Sequence, residues 1–266
     1  MSPPEISLGR FAEFAGAIKG LSALGLTEGE LQRFLLPESG GNIRICYAPF
    51  DWINTDAQVV IVGITPGHDS MVSAFRAAAS ALREGVSFDE ACKRGKRAGS
   101  FSNMRSTIAE MLDEVGLPAA LGIRRSDELF GSRYDLLHPT SCVRYPVFVW
   151  SRKKACWTNY TGHNPKLLSW WTSVRYIECV LADELRRIPA ALIVPCGEAV
   201  TSALQHLAAG KMIDPARCLF GFPHASRANG HRNKFFNERR DQLRRMVAEW
   251  GLRRRFVPTS ARFADS

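Results

Sequence analysis

The chain has 266 residues, 45% of them hydrophobic, and a formal net charge of +9. That suffices for one sizeable core with at most a small appendage, and no apolar run reaches the length of a membrane span. Met1 to Leu8 show no basic stretch followed by an apolar one, so no signal peptide is read, and a cytoplasmic monomer away from membranes is expected. The seven cysteines are odd in number and never spaced as C-x-x-C. This argues against a disulfide framework and against a zinc site of paired thiolates. Dispersed cysteines can meet at an iron–sulfur cluster, yet no spacing here supports one; no metal or cofactor is expected. Cys142 and Cys196 lie in apolar runs and read as small core residues.

In chain order, residues 1–42 read as a helical extension packed on the core. Phe11, Phe14, Ile18, Leu21 and Leu24 recur at helical steps, and Thr27 with Glu30 marks a new capped start. Ile43 to Tyr47 is a short strand, followed by the aromatic loop Pro49 to Asn54. Gln58 to Val62 is a continuous apolar run, as a central parallel strand requires. Ser70 to Glu84 reads as a helix, residues 85–99 as a charged stretch without clear pattern, and Ser102 to Val115 as an amphipathic helix. Leu136 to Val143 and Ala190 to Cys196 are further strands, and Cys218 to Phe222 a fourth. Between them lie the polar-aromatic insertion Arg152 to Trp171 and a helix over Val174 to Arg187. A helix from Phe236 to Trp250 ends the pattern, and residues 256–266 read as a frayed tail. Strands alternating with helices predict one α/β domain: a central, mostly parallel four-stranded sheet flanked by helices on both faces.

The charge is uneven. From Arg227 to Arg255, ten Lys/Arg stand against three Asp/Glu. A basic face beside a candidate site loop suggests a polyanionic partner.

Two strands end in tight polar turns: Gly63-Ile64-Thr65-Pro66-Gly67-His68-Asp69, and Gly221-Phe222-Pro223-His224-Ala225-Ser226. Ligands of open α/β sheets bind at the carboxyl ends of strands. The first turn is neither a P-loop nor a dinucleotide fingerprint. A Pro-Phe-Asp loop, a hydrophobic strand and Gly-x-x-Pro-Gly together resemble the first motif of the uracil-DNA glycosylase superfamily. Phe222-Pro223-His224-Ala225-Ser226 is similar to its second motif, His-Pro-Ser, with Ala225 where proline is usual. Ser100-Phe101-Ser102-Asn103 opening a helix is similar to that family's phosphate-gripping loop.

The resemblance covers residues 43–248 and implies a three-layer fold that binds DNA, flips a nucleotide and hydrolyses its N-glycosidic bond. It implies that His224 donates to the base or its leaving anion. Thr65 takes the water-handling position, usually Asp or Asn in the family, where a hydroxyl orients water but is a poor base. Asp69 is the nearest carboxylate, read either as catalytic or as a first-turn helix acid; Asp51 is a weaker candidate. His138 falls near the base-reading Asn, with Ser141 beside it, and reads either as base-binding or as structural. Ile64 and Phe101 are further base contacts, whereas Phe75 reads as core. Ser102, Asn103, Ser226, Arg227, Asn229, Arg232 and Lys234 are the DNA-binding candidates. Trp157 or Tyr160 in the insertion suit stacking on a sugar or base. With the departures at Thr65 and His138, this points to a bulky base such as glucosylated hydroxymethylcytosine of phage DNA. A deaminated-base repair enzyme and a non-catalytic DNA-binding protein are the alternatives.

Overall fold

The computed structural model of the protein describes residues 9–22, 26–226, 230 and 232–256. The first residues, the tail after 256, Arg227 and Asn229 lie outside the described residues. Two short helices come first, α1 (Phe11–Lys19) and α2 (Glu28–Gln32). Thr27 caps α2 as its spacing predicts: its hydroxyl accepts from the Glu30 N–H, and the Glu30 carboxylate accepts from the Thr27 N–H.

The strands form two sheets. In one, β1 (Ile43–Ile45) pairs antiparallel with β4 (Val147–Ser151), which pairs with β5 (Cys156–Asn159). In the other, β2 (Val59–Gly63) lies between β3 (Leu137–Ser141) and β6 (Leu192–Pro195), all parallel. Side-chain alternation along β2 divides the core. Val60 and Val62 join Ile193 and the helices α1, α3 (His68–Arg83) and α9 (Glu198–Ala209). Val59 and Ile61 join Leu192, Val194 and the helices α5 (Arg105–Glu114), α6 (Leu117–Leu121) and α10 (Arg232–Phe256). Burying a valine or isoleucine fully is worth about 1.5–3 kcal/mol. With both faces covered, β2 therefore reads as an unbroken apolar run.

Three expectations need correction. The four-stranded sheet has three strands, with a second, antiparallel sheet beside it. The segment at Cys218 adds a single bridge to Ile193. It leaves the ladder because the Cys218 N–H is taken by Pro215, the Phe220 N–H by Cys218, and Gly221 turns at φ +94°. Residues 85–99 are not patternless: they form α4 (Phe88–Gly99), capped by Ser87. Its inner face is Ala91, Cys92, Gly95, Lys96 and Gly99, so it lacks an apolar stripe. A Cβ on Gly99 would strike the Ser70 carbonyl oxygen, and one on Gly95 would lie 3.0 Å from the Ala74 oxygen. The glycines let α4 lie against the α3 backbone. Finally, the insertion after Arg152 begins as the return strand of the β4–β5 hairpin.

The helix over 171–186 contains a π-helical segment, Tyr176–Leu181, between α7 (Trp171–Arg175) and α8 (Ala182–Arg186). It directs Glu184 inward, fully buried.

Candidate active site

The carboxyl ends of β2, β3 and β6, with the loop after Cys218, open onto one cleft of about 1200 Å³. The first loop supplies Gly63 to Gly67 and Asp69, and the second supplies Phe220 to His224 and Ser226. Ile64, Phe101, Ser102, Asn103 and Ser141 line it too, so most of the candidates from the sequence share one cavity.

A Cβ on Gly63 would lie 3.2 Å from the Phe101 ring and 3.3 Å from the Ser141 hydroxyl, so glycine there makes room for both. Phe101 itself has φ +54°, a conformation that costs a non-glycine residue about 1–2 kcal/mol. That backbone turn places the ring in the cleft wall.

Thr65 departs from its expected role. Its hydroxyl donates to the Tyr145 carbonyl at 2.7 Å and accepts from the Val147 N–H at 3.1 Å. The hydroxyl proton is committed to the backbone, so the side chain clamps the first loop to the segment entering β4. Asp69 stands in the first turn of α3, after the cap at Gly67, with its side chain 77% exposed at the cleft rim. The Asn103 amide donates to its carboxylate at 3.3 Å. Asp69 thus holds the helix-terminal position and faces the cleft as well.

In the second loop the Ser226 N–H donates to His224 Nδ1 at 3.2 Å, which puts the proton of the neutral ring on Nε2. Burial, and then the neighbouring His163, lower the His224 pKa, so the ring is neutral at pH 7. Gly197 adopts φ +101°, and a Cβ there would lie 3.0 Å from the His224 Cβ. Only glycine at the end of β6 lets the loop pack so closely.

His138 is the clear correction. It is fully buried, does not line the cleft, and cannot read a base. Its Nδ1 accepts from the Asn54 N–H at 3.3 Å, so Nε2 carries the proton and donates to Glu184 at 3.0 Å. Burial, with Lys96 and Arg144 nearby, pushes its pKa down to about 4. Arg144 Nε donates to Glu184 at 2.6 Å and the guanidinium lies 3.8 Å from Asp51. Glu184 is held well below the usual carboxylate range: burial alone would raise it, but Arg144 and Lys96 outweigh that. Asp51 accepts from the Tyr47 hydroxyl at 2.8 Å. This charge cluster lies beneath the cleft and was missed in the sequence, because Glu184 sits on a helix that reads as amphipathic.

The DNA-binding candidates divide. Ser102, Asn103 and Ser226 line the cleft. Arg232 donates to the carbonyls of Ala225 and Ser226 at 3.3 and 3.2 Å, bracing the second loop from outside the cleft. Lys234 is exposed away from the lining. Part of the basic helix is also structural: Arg244, Arg253 and Arg254 donate to the carbonyls of Glu114, Ala216 and Ala120. What α10 gives the cleft is Phe235, Arg239 and Gln242. Their i, i+4, i+7 spacing marks one helix face and was legible. The Arg239 guanidinium stands 5.8 Å from the Phe235 ring.

The expected stacking residues of the insertion are occupied. Trp157 lies between Arg44, at 4.1 Å, and Trp150, at 5.5 Å. Tyr160 is buried and donates to the Pro165 carbonyl at 2.6 Å. The insertion lines the cleft with Asn159, Tyr160, Thr161 and His163, whereas Trp157 is not in the lining. Phe75, Cys142 and Cys196 are core residues. Among the described residues no group of three or more His, Cys, Asp or Glu is placed to hold a metal ion, and no helix is long and apolar enough to cross a membrane.

No family model matches the chain. Over 208 residues it is 37% identical to the uncharacterized protein YoxB of Bacillus subtilis, covering 77% of this chain and 79% of that protein. The chain belongs to the YoxB family. It is also similar to the crystal structure of wild-type SMUG2 of Pedobacter heparinus, at 14% identity and a TM-score of 0.43, over 90% of this chain and 98% of that one. The functional reading rests on the cleft itself.

Proposed function

We propose that the chain is a DNA glycosylase of the uracil-DNA glycosylase type, which flips a modified or damaged base into the cleft and leaves an abasic site. The observation that carries this reading is the meeting of two motif loops, remote in sequence, at one strand-end cleft, with His224 held as a neutral Nε2–H donor. In such a reaction the C1′–N bond breaks, its electron pair leaves with the base, and positive charge develops on the sugar. His224 Nε2–H hydrogen-bonds the departing base. Asp69, steadied by Asn103, faces the cationic sugar and accepts the proton of the attacking water. Acid–base help of this kind is worth about 10²–10⁴-fold. Thr65 has a positioning role. Ile64 and Phe101 flank the base, Ser141 lies beside them, and Ser102, Asn103, Ser226 and Arg239 meet the DNA backbone.

The cleft is larger than a bare base needs, which supports a bulky or decorated target such as the glucosylated cytosine of phage DNA; Trp157, packed between Arg44 and Trp150, adds nothing to that argument, whereas Tyr160 stays in the lining. The committed Thr65 hydroxyl favours the alternative of a DNA-binding protein without activity. A monomeric cytoplasmic enzyme is part of the proposal, and the base released decides between repair and antiviral defence. The test is mass spectrometry of bases freed from DNA containing uracil, hypoxanthine, or hydroxymethylcytosine with and without glucose. Release of one base supports the enzyme; DNA binding with no release supports the binding protein.

A further inference from the structure

The cleft lining includes a buried lysine that no catalytic step above uses. Lys96, on the inner face of α4, lines the cleft yet is only 1% exposed. Lysine is almost never buried without a charge partner, because desolvating an ammonium is costly. Among the described residues its one side-chain hydrogen bond is to the Trp52 carbonyl, at 2.7 Å. Among the described residues no carboxylate comes within ion-pair distance of it; Glu184 is committed to Arg144 and His138. An ammonium has three donors, so two remain. Also in the lining, the Thr140 hydroxyl is buried without a hydrogen-bond partner among the described residues, in a residue 7% exposed. Phe50, Ser100 and Phe101, also in the lining, are buried as well.

Donors left over at a buried place in the lining require acceptors from whatever enters. An oxo oxygen or a deprotonated ring nitrogen meets that need. An exocyclic amino group does not: it would set donor against donor and leave the ammonium desolvated and unpaired. Discrimination by an unsatisfied buried polar group is steep, unlike discrimination by apolar shape.

We propose that Lys96 is a specificity-determining residue of the cleft, selecting a base whose inner edge presents oxygen acceptors and rejecting one that presents an amino group. This deepens the glycosylase reading toward a deaminated base and away from glucosylated cytosine, whose ring keeps its amino group; it rests on that reading for its biological meaning, but it is testable without any glycosidic cleavage. Burial lowers the Lys96 pKa to about 8, partly offset by Glu184. Glu184 from α8, Arg144 and His138 from the β3 side, Asp51 from the loop between β1 and β2 and Cys92 on its own helix are the charged or titratable groups around it. Selection by the ammonium therefore fades as pH rises above about 8.

The experiment is calorimetric or saturation-transfer titration of the full-length protein with free uracil, xanthine, cytosine and adenine. The wild type is expected to favour uracil or xanthine over the amino bases by roughly tenfold or more. Lys96→Met is expected to abolish the preference, and Lys96→Arg to keep it while removing its decline above pH 8. If Lys96→Met fails to fold, the wild-type pH series and Lys96→Arg carry the test. A wild type with no preference for oxo bases, or a preference that Lys96→Met or pH 9.5 leaves intact, overturns the proposal. Absence of base release from DNA, measured separately, would count against the glycosylase reading alone.

Discussion

His138 lies within β3 and His224 beyond the Cys218 segment that bridges β6 at the opposite edge of the sheet; both read as candidate base contacts, but the fold uses them in opposite ways. His138 lies inside β3, paired across to Val60, and both ring nitrogens are spent on Asn54 and Glu184. His224 lies beyond its strand segment, in a loop whose Ser226 N–H holds its Nδ1, with the residue in the cleft wall. The difference is one of position. A polar residue within a parallel strand faces a helix layer and must be satisfied there; one past the strand end faces the ligand space. Thr65 and Asp69 repeat the contrast within one loop: the hydroxyl nearer the sheet is committed to backbone, while the carboxylate further out stays exposed.

The sharpest way to break this comparison is to exchange the consequences. His224→Ala is expected to lower kcat/KM for base release about 100-fold or more with the melting temperature nearly unchanged. His138→Ala is expected to do the reverse, costing about 1–3 kcal/mol of stability because it takes a buried hydrogen-bond donor from Glu184 and an acceptor from the Asn54 N–H. Denaturant melts and single-turnover rates on both variants check this; a His138 variant that folds normally but loses only activity would refute the structural assignment.

Gly99→Ala tests the close approach of α4 to α3. Its methyl group meets backbone, so a loss of about 1–3 kcal/mol is expected by chemical denaturation. Thr65→Val sharpens the comparison within the first loop: losing both hydroxyl contacts is expected to cost about 1–3 kcal/mol, with the turnover of folded molecules largely kept. A large drop in turnover without loss of stability would restore Thr65 as a water-handling group.

The pH dependence is the mildest test. His138 is depressed from its ordinary 6.5 to about 4, so between these values the unfolded chain binds a proton that the folded chain refuses. Stability is therefore expected to be full above about pH 6.5 and to decline as pH falls toward 4, and His138→Gln is expected to flatten that slope in calorimetric scans.

Much of the site was legible because it obeys local rules. The apolar run of β2, the turn glycines and the His-x-Ser loop are all short-range signals that mark Ile64, Asp69 and His224, while the family resemblance supplied Phe101 and Ser141; all five line one cavity. The capping box at Thr27 was equally readable. What escaped was carried by long-range pairing or by missing side chains. The helix over Phe88–Gly99 buries glycines and a lysine, so hydrophobic periodicity could not mark it. Glu184, His138 and Arg144 come together across some 40 residues or more of chain, and only their burial shows that they form a unit. The fourth strand reduced to one bridge because local turn hydrogen bonds at Pro215 and Cys218 outcompeted the ladder.

The central claim is that the cleft performs N-glycosidic hydrolysis through His224. The most direct measurement is mass spectrometry of free bases, with abasic sites counted in the same DNA panel, for the wild type and His224→Ala side by side. The expected result is one released base matched by abasic sites in the wild type, with both lost in a folded, DNA-binding His224→Ala. DNA binding by the wild type with neither product, or equal release by both proteins, would contradict the claim.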